Sequence, residues 1–151
     1  MKLAELLIER AECQRRIAQW SSRLQGYATV QEGDEPPVKP EVMLSTLEGL
    51  HVQLEEFIRK INHANATTEF EGGMSLADAI VKRDILKSRR NIFDNLAKAS
   101  QIQDSRYSKK EIRFITTVDV EKVIKTTDNL SKEIRIIDSK IQAKNWEIEV
   151  T

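Results

Sequence analysis

The side chains of this chain whose types suit chemistry best are Arg83, Asp84, Arg106, Tyr107 and Asp119. Two guanidinium groups with a phenol hydroxyl offer several donors, some in fork geometry, and such a set fits a carboxylate or phosphate group. Backbone N–H groups at the start of the helix that follows Asp119 would add donors for the same anion. The competing reading is a structural ion-pair cluster that secures a strand-to-helix joint, because such networks also arise without a ligand. Spacing alone leaves both readings open, since it does not bring the five side chains within reach of one another.

Other chemistry is thin. A nucleophile needs an activating base with an orienting group behind it, and Cys13, His51 and His63 lie far apart with no motif around them. Neither histidine has a second His or Cys at ligand spacing, so both read as surface or rim residues and no metal site is expected. Glu71-Gly72-Gly73-Met74 lacks the lysine and the strand-to-helix spacing of a phosphate-cradling loop. Most carboxylates sit at helical spacing from bases, as in Glu121 with Lys125 and Asp128 with Lys132, and read as surface pairs. No catalytic residue and no cofactor are assigned.

The elements that must position these residues are mainly helical. Val120, Val123, Leu130, Ile134, Ile137, Ile141 and Ile148 recur alternately three and four apart, with Thr127 and Lys144 in the gaps. That period draws one apolar seam along a helix, as in a coiled coil. Leu3, Leu6, Cys13, Ile17, Trp20 and Leu24 repeat the pattern with Arg10 in the seam, where its stem packs and its head snorkels or meets a carboxylate. Met43, Leu47, Leu50, Leu54, Phe57 and Ile61 keep it without a miss. The solvated loop from Thr29 to Lys39, with Gly33, Pro36 and Pro37, joins two matched seams, which makes an antiparallel hairpin.

Between the second and last helices the pattern changes. Residues 67–71 are β-branched and aromatic and read as a short strand closed by Gly72-Gly73. Ser75 with Asp78 resembles a capping box opening a third helix at Leu76. Its apolar face is taken as Ala77, Val81, Ile85, Ile92, Leu96 and Ala99, flanked by Leu86 and Phe93. Arg83, Lys87, Arg90 and Asp94 lie nearly opposite and read as a solvated face. Residues 110–117 alternate with period two and predict a second strand, paired with 67–71 either within one chain or across a dimer axis. Thr116, Thr117 or Asp119 would cap the last helix. The expected fold is therefore mainly α: one domain over 1–151, a bundle of long, coiled-coil-like antiparallel hairpins with helices at about 2–25, 40–63, 75–99 and 118–148. A small two-stranded β element completes it.

Composition agrees. Charged residues make up 32 % of the chain and aromatics 5 %, the signature of long solvated helices. Lys plus Arg and Asp plus Glu are 24 each, so no global field draws nucleic acid or an anionic membrane. No apolar run approaches the roughly 20 residues that span a bilayer. Glu5, Glu9 and Arg10 interrupt the first apolar cluster, so no signal peptide is expected. A single cysteine fits a reducing, cytoplasmic setting.

Several short stretches resemble a known family. They are Asn62 and Asn65, Leu76-Ala77-Asp78-Ala79 with Arg83-Asp84, Arg106-Tyr107-Ser108, Glu111-Ile112, Thr117-Val118-Asp119-Val120, Asn145-Trp146, and Gln31-Glu32-Gly33-Asp34 in the first loop. In these the chain resembles, over essentially its full length, the septicolysin-like small helical bacterial proteins. That resemblance implies a helical fold and no assigned activity, and it carries no catalytic residues over. The favoured expectation is a non-catalytic, self-associating scaffold or interaction module, homo-oligomeric through its seams. A small-ligand or enzyme site around Arg83 and Arg106 is the alternative. A membrane-acting cytolysin ranks third, because acidic residues are as frequent as basic ones along the helices.

Overall fold

The computed structural model describes residues 1–101 and 112–151. Four helices carry the fold: α1 Leu3–Gly26, α2 Pro40–Thr67, α3 Leu76–Ala99 and α4 Val120–Glu147. Two short strands, β1 Glu69–Glu71 and β2 Met74–Ser75, stand between α2 and α3. The mainly-α class with one small antiparallel sheet is as the periodicity predicts. Chain contacts gather into two compact units, one of residues 1–76 with 142–151 and one of residues 77–141.

In the first unit, α1 and α2 pair along the seams read from the sequence. Leu3, Leu6 and Cys13 of α1 are buried, as are Met43, Leu47, Leu50 and Ile61 of α2. The Cys13 thiol donates to the Leu50 carbonyl at 3.3 Å, which marks where the helices touch. Pro40 at the first turn of α2 supplies a preset φ and lacks only an N–H that a helix start leaves unpaired. Arg10 holds its seam position half-buried, and its Nε is buried without a hydrogen-bond partner among the described residues.

A tie between Lys2 and Glu149 closes this unit. Leu3 N donates to Ile148 O at 3.0 Å and Val150 N to Met1 O at 2.8 Å, on either side of a bridge between Lys2 and Glu149. Lys2 Nζ adds 2.7 Å to Glu149 Oε1 and 3.2 Å to the Glu147 carbonyl. The backbone N–H of Lys2 donates to Glu5 Oε2 at 2.7 Å and so begins α1.

The sheet departs from expectation. β1 pairs with Met74–Ser75 immediately after it, Glu71 opposite Met74, and not with residues 112–117; the rest of the expected strand, 110–111, lies outside the described residues. Gly72 and Gly73 have φ of +60° and +82°, so both central residues of the two-residue turn are left-handed. That is the twist a tight hairpin needs, and glycine adopts it without strain. Residues 112–117 form no strand; with β1 already paired locally, their alternation has no ladder to join.

In the second unit, α4 buries Leu130, Ile134, Ile137 and Ile141 as its seam predicts. The faces of α3 are reversed. Val81, Ile85 and Ile92 are exposed, and so is Leu96, whereas Leu76, Ala79 and Leu86 are buried and Arg83, Lys87, Arg90 and Asp94 are half-buried. Leu76, Ala79, Arg83, Leu86, Arg90, Phe93 and Ala97 form their own three-four row. Arg83 of this row reaches Asp138, so this side of α3 meets α4 there. The long arginine stems can cover apolar surface while their heads find polar partners.

Candidate functional site

Arg83 is the centre of the charge cluster on α3. Its Nε donates to Asp84 Oδ1 at 3.0 Å and its Nη1 to Asp138 Oδ1 at 3.0 Å. The guanidinium side chain is 19 % exposed, Asp138 39 % and Asp84 57 %. Burial acts against the charged guanidinium, but the hydrogen bonds it donates to Asp84 and Asp138 outweigh it and hold its pKa above the ordinary arginine value. One positive charge thus meets two carboxylates. Both donors of Arg83 that make these contacts are thereby committed to carboxylates.

The five residues singled out from sequence do not form one site. Arg83 and Asp84 meet. Asp119 caps α4, with its Oδ1 accepting from Lys122 N at 3.2 Å and its carbonyl from Val123 N at 3.1 Å. Asp119 precedes Asp138 by nineteen residues on one helix, which is about 28 Å of helical rise. A guanidinium bound to Asp138 therefore cannot share a ligand with Asp119. Arg106 and Tyr107 lie outside the described residues. Asp138, the partner that matters, escapes sequence reading because it is 55 positions from Arg83. The row from Leu76 to Ala97 shows which side of α3 Arg83 lies on, and only the ion pair with Asp138 sets that side against α4.

Two recesses lie elsewhere. In the first unit a groove of about 830 Å³ runs between Glu56, Arg59, Lys60, His63 and Thr67 of α2 and the segment from Ile148 to Thr151. In the second unit a smaller one of about 570 Å³ lies between the end of α3, from Leu96 to Gln101, and Phe114 to Val118. Lys60 is paired with Glu56 at 3.0 Å. His51 Nδ1 donates to the Leu47 carbonyl at 2.8 Å, within its own helix. Among the described residues no three His, Cys, Asp or Glu side chains are grouped to hold a metal ion, and no helix is long and apolar enough to cross a membrane.

Among the described residues, one face of α3 is apolar and exposed. At about 100° per residue, Val81, Ile85, Ile92 and Leu96 lie on the side of α3 away from the Arg83 row. Their exposures are 60, 57, 65 and 40 %. A helix buried along one side and apolar along the other has two faces to cover.

The family of unknown function DUF6847 matches residues 10–150. The chain belongs to this family. It is also similar to a solved structure described as a functionally unknown conserved protein from Corynebacterium diphtheriae, with 40 % identity over 100 % of this chain and 99 % of that one. The TM-score is 0.95, so this DUF6847 chain shares that protein's fold throughout. No curated protein matches it. The resemblance to septicolysin-like proteins is overturned, because the match over nearly the whole chain is to DUF6847 and nothing found points to a cytolysin family. Two of the stretches that suggested it are helix starts, Leu76-Ala77-Asp78-Ala79 opening α3 and Thr117-Val118-Asp119-Val120 capping α4. Such sequences recur for local reasons in unrelated helical proteins.

Proposed function

We propose that this DUF6847 protein is a non-catalytic, self-associating helical module. The observation that carries the reading is the apolar outer face of α3, four large aliphatic side chains exposed along one helix. Contiguous exposed apolar surface marks an interaction site more often than scattered residues do. Residues that sequence offered for chemistry have structural partners instead: the Cys13 thiol with a carbonyl, Arg83 with two carboxylates, Asp119 with the first turn of α4. Light scattering at low micromolar concentration tests the proposal. The expected mass is about 35 kDa or a higher multiple of the 17.4 kDa chain. A 17.4 kDa species up to 100 µM would overturn it.

A further inference from the structure

The outer face of α3 carries enough detail to name its occupant. Val81, Ile85, Ser88, Ile92, Asn95 and Ala99 follow one another alternately four and three apart, and Leu96 widens the row on one side. Ser88, Asn95 and Ala99 are exposed along with the aliphatic members. A three-four row on a helix whose opposite side already meets α4 is the pattern of a two-helix seam lacking its second helix.

The edges of the row are charged unequally. Asp84 borders it on one side, exposed to 57 % although its Oδ1 accepts from Arg83. Arg89 and Lys82 border it on the other, both exposed. When two identical helices pair in parallel about a two-fold axis, an edge residue of one faces the opposite edge of the other five positions on, so Asp84 meets the partner's Arg89 twice. In an antiparallel pair like edges meet, and Arg89 would face the partner's Arg89 near the axis. Edge charges choose orientation in such pairs, and like charges there are unfavourable. In the parallel register Asn95 also meets its own counterpart, and a lone Asn at a seam position fixes register at some cost in stability.

We infer that the partner of this face is α3 of a second copy, packed in parallel about a two-fold axis, with Val81, Ile85 and Ile92 at its centre and Asp84–Arg89 pairs at its edges. This rests on the self-association reading and deepens it. A strip of 24 residues is about 36 Å long. At roughly one helix width it covers a few hundred Å² on each copy, below the roughly 800 Å² per partner of a standard interface.

Three variants test it, each checked for unchanged helical circular dichroism. Ile85→Glu with Ile92→Glu should turn the dimer into a monomer at every concentration up to 100 µM. With Cys13→Ala as background, Val81→Cys should link to its counterpart under mild oxidation. Val52→Cys, exposed on α2, should not. A wild-type monomer would sink the self-association reading and this inference together. A wild-type dimer that survives the double Glu substitution would overturn the α3 interface alone. A dimer abolished by those substitutions in which residue 81 fails to link would overturn the parallel arrangement.

Discussion

The guanidinium of Arg83 is held by Asp138 across to α4 and by Asp84 beside it, and removing it leaves two carboxylates facing one positive charge fewer. All three groups touch solvent, so water screens part of the loss. Arg83→Ala should lower stability by about 1 kcal/mol in urea unfolding, the value of a partly exposed pair. Phosphate or acetate should not shift the wild-type melting temperature. An anion that raises it, with the rise lost in Arg83→Ala, would reinstate a ligand site there. Glu149 sets a pH dependence of its own: hydrogen bonds from Lys2 and then from the terminal amine hold its carboxyl below the ordinary glutamate value. A depressed carboxyl stabilises the folded state above its unfolded pKa, and that contribution is lost as pH falls through the lower folded value. Amide exchange at Leu3 and Val150 should therefore accelerate, beyond its intrinsic pH dependence, between about pH 5 and the acid side of that value. Glu149→Gln should remove the change.

At the scale of elements, the hairpin between α2 and α3 depends on two left-handed glycines with open space around them. Gly73→Ala should cost about 1 kcal/mol, from the left-handed penalty alone. Gly73→Asn should cost less, because Asn tolerates that region. Equal losses would mean that the turn changes type. For the helices, Ile134→Ala opens a cavity in the buried seam of α4 and should cost roughly 2–5 kcal/mol. Val52→Ala, 68 % exposed on α2, should be near neutral. Lys87 cannot serve as that control, because it is half-buried on the side of α3 that faces α4. The seams of α1, α2 and α4 were legible because each helix has one apolar row and no rival. α3 has two rows, and the all-aliphatic one outweighs a row interrupted by Arg83 and Arg90. Periodicity shows that a face is apolar, not which neighbour covers it. The β1 partner was misread for a related reason: alternation at 110–117 looked like a strand, whereas Gly72-Gly73 had already supplied a closer one. Of the candidate site, the Arg83–Asp84 neighbours were readable from adjacency, and Asp119 as a cap from its place before an apolar row. Asp138 was not, since tertiary pairing brings it in.

For the molecule as a whole, 24 basic and 24 acidic residues leave no net charge, so two copies meet without long-range repulsion or attraction. In the proposed dimer association rests on the apolar face of α3, and ionic strength is the variable that separates this from an ionic interface. Raising salt from about 0.05 to about 0.5 M shortens the screening length from over 10 Å to under 5 Å. That weakens the two Asp84–Arg89 contacts, each of which, being at an exposed edge, contributes less than about 1 kcal/mol. Burial of Val81, Ile85 and Ile92 is untouched by chloride and strengthened by sulfate, which is excluded from protein surface. Sedimentation equilibrium should therefore show the dimer constant weakening by no more than about thirtyfold across that range of sodium chloride, since the two contacts together contribute at most about 2 kcal/mol and tenfold corresponds to about 1.4 kcal/mol. It should tighten in sodium sulfate of the same ionic strength. A dimer that falls apart in chloride and is not restored by sulfate would place its cohesion in charges, and the outer face of α3 would not be what holds the copies together.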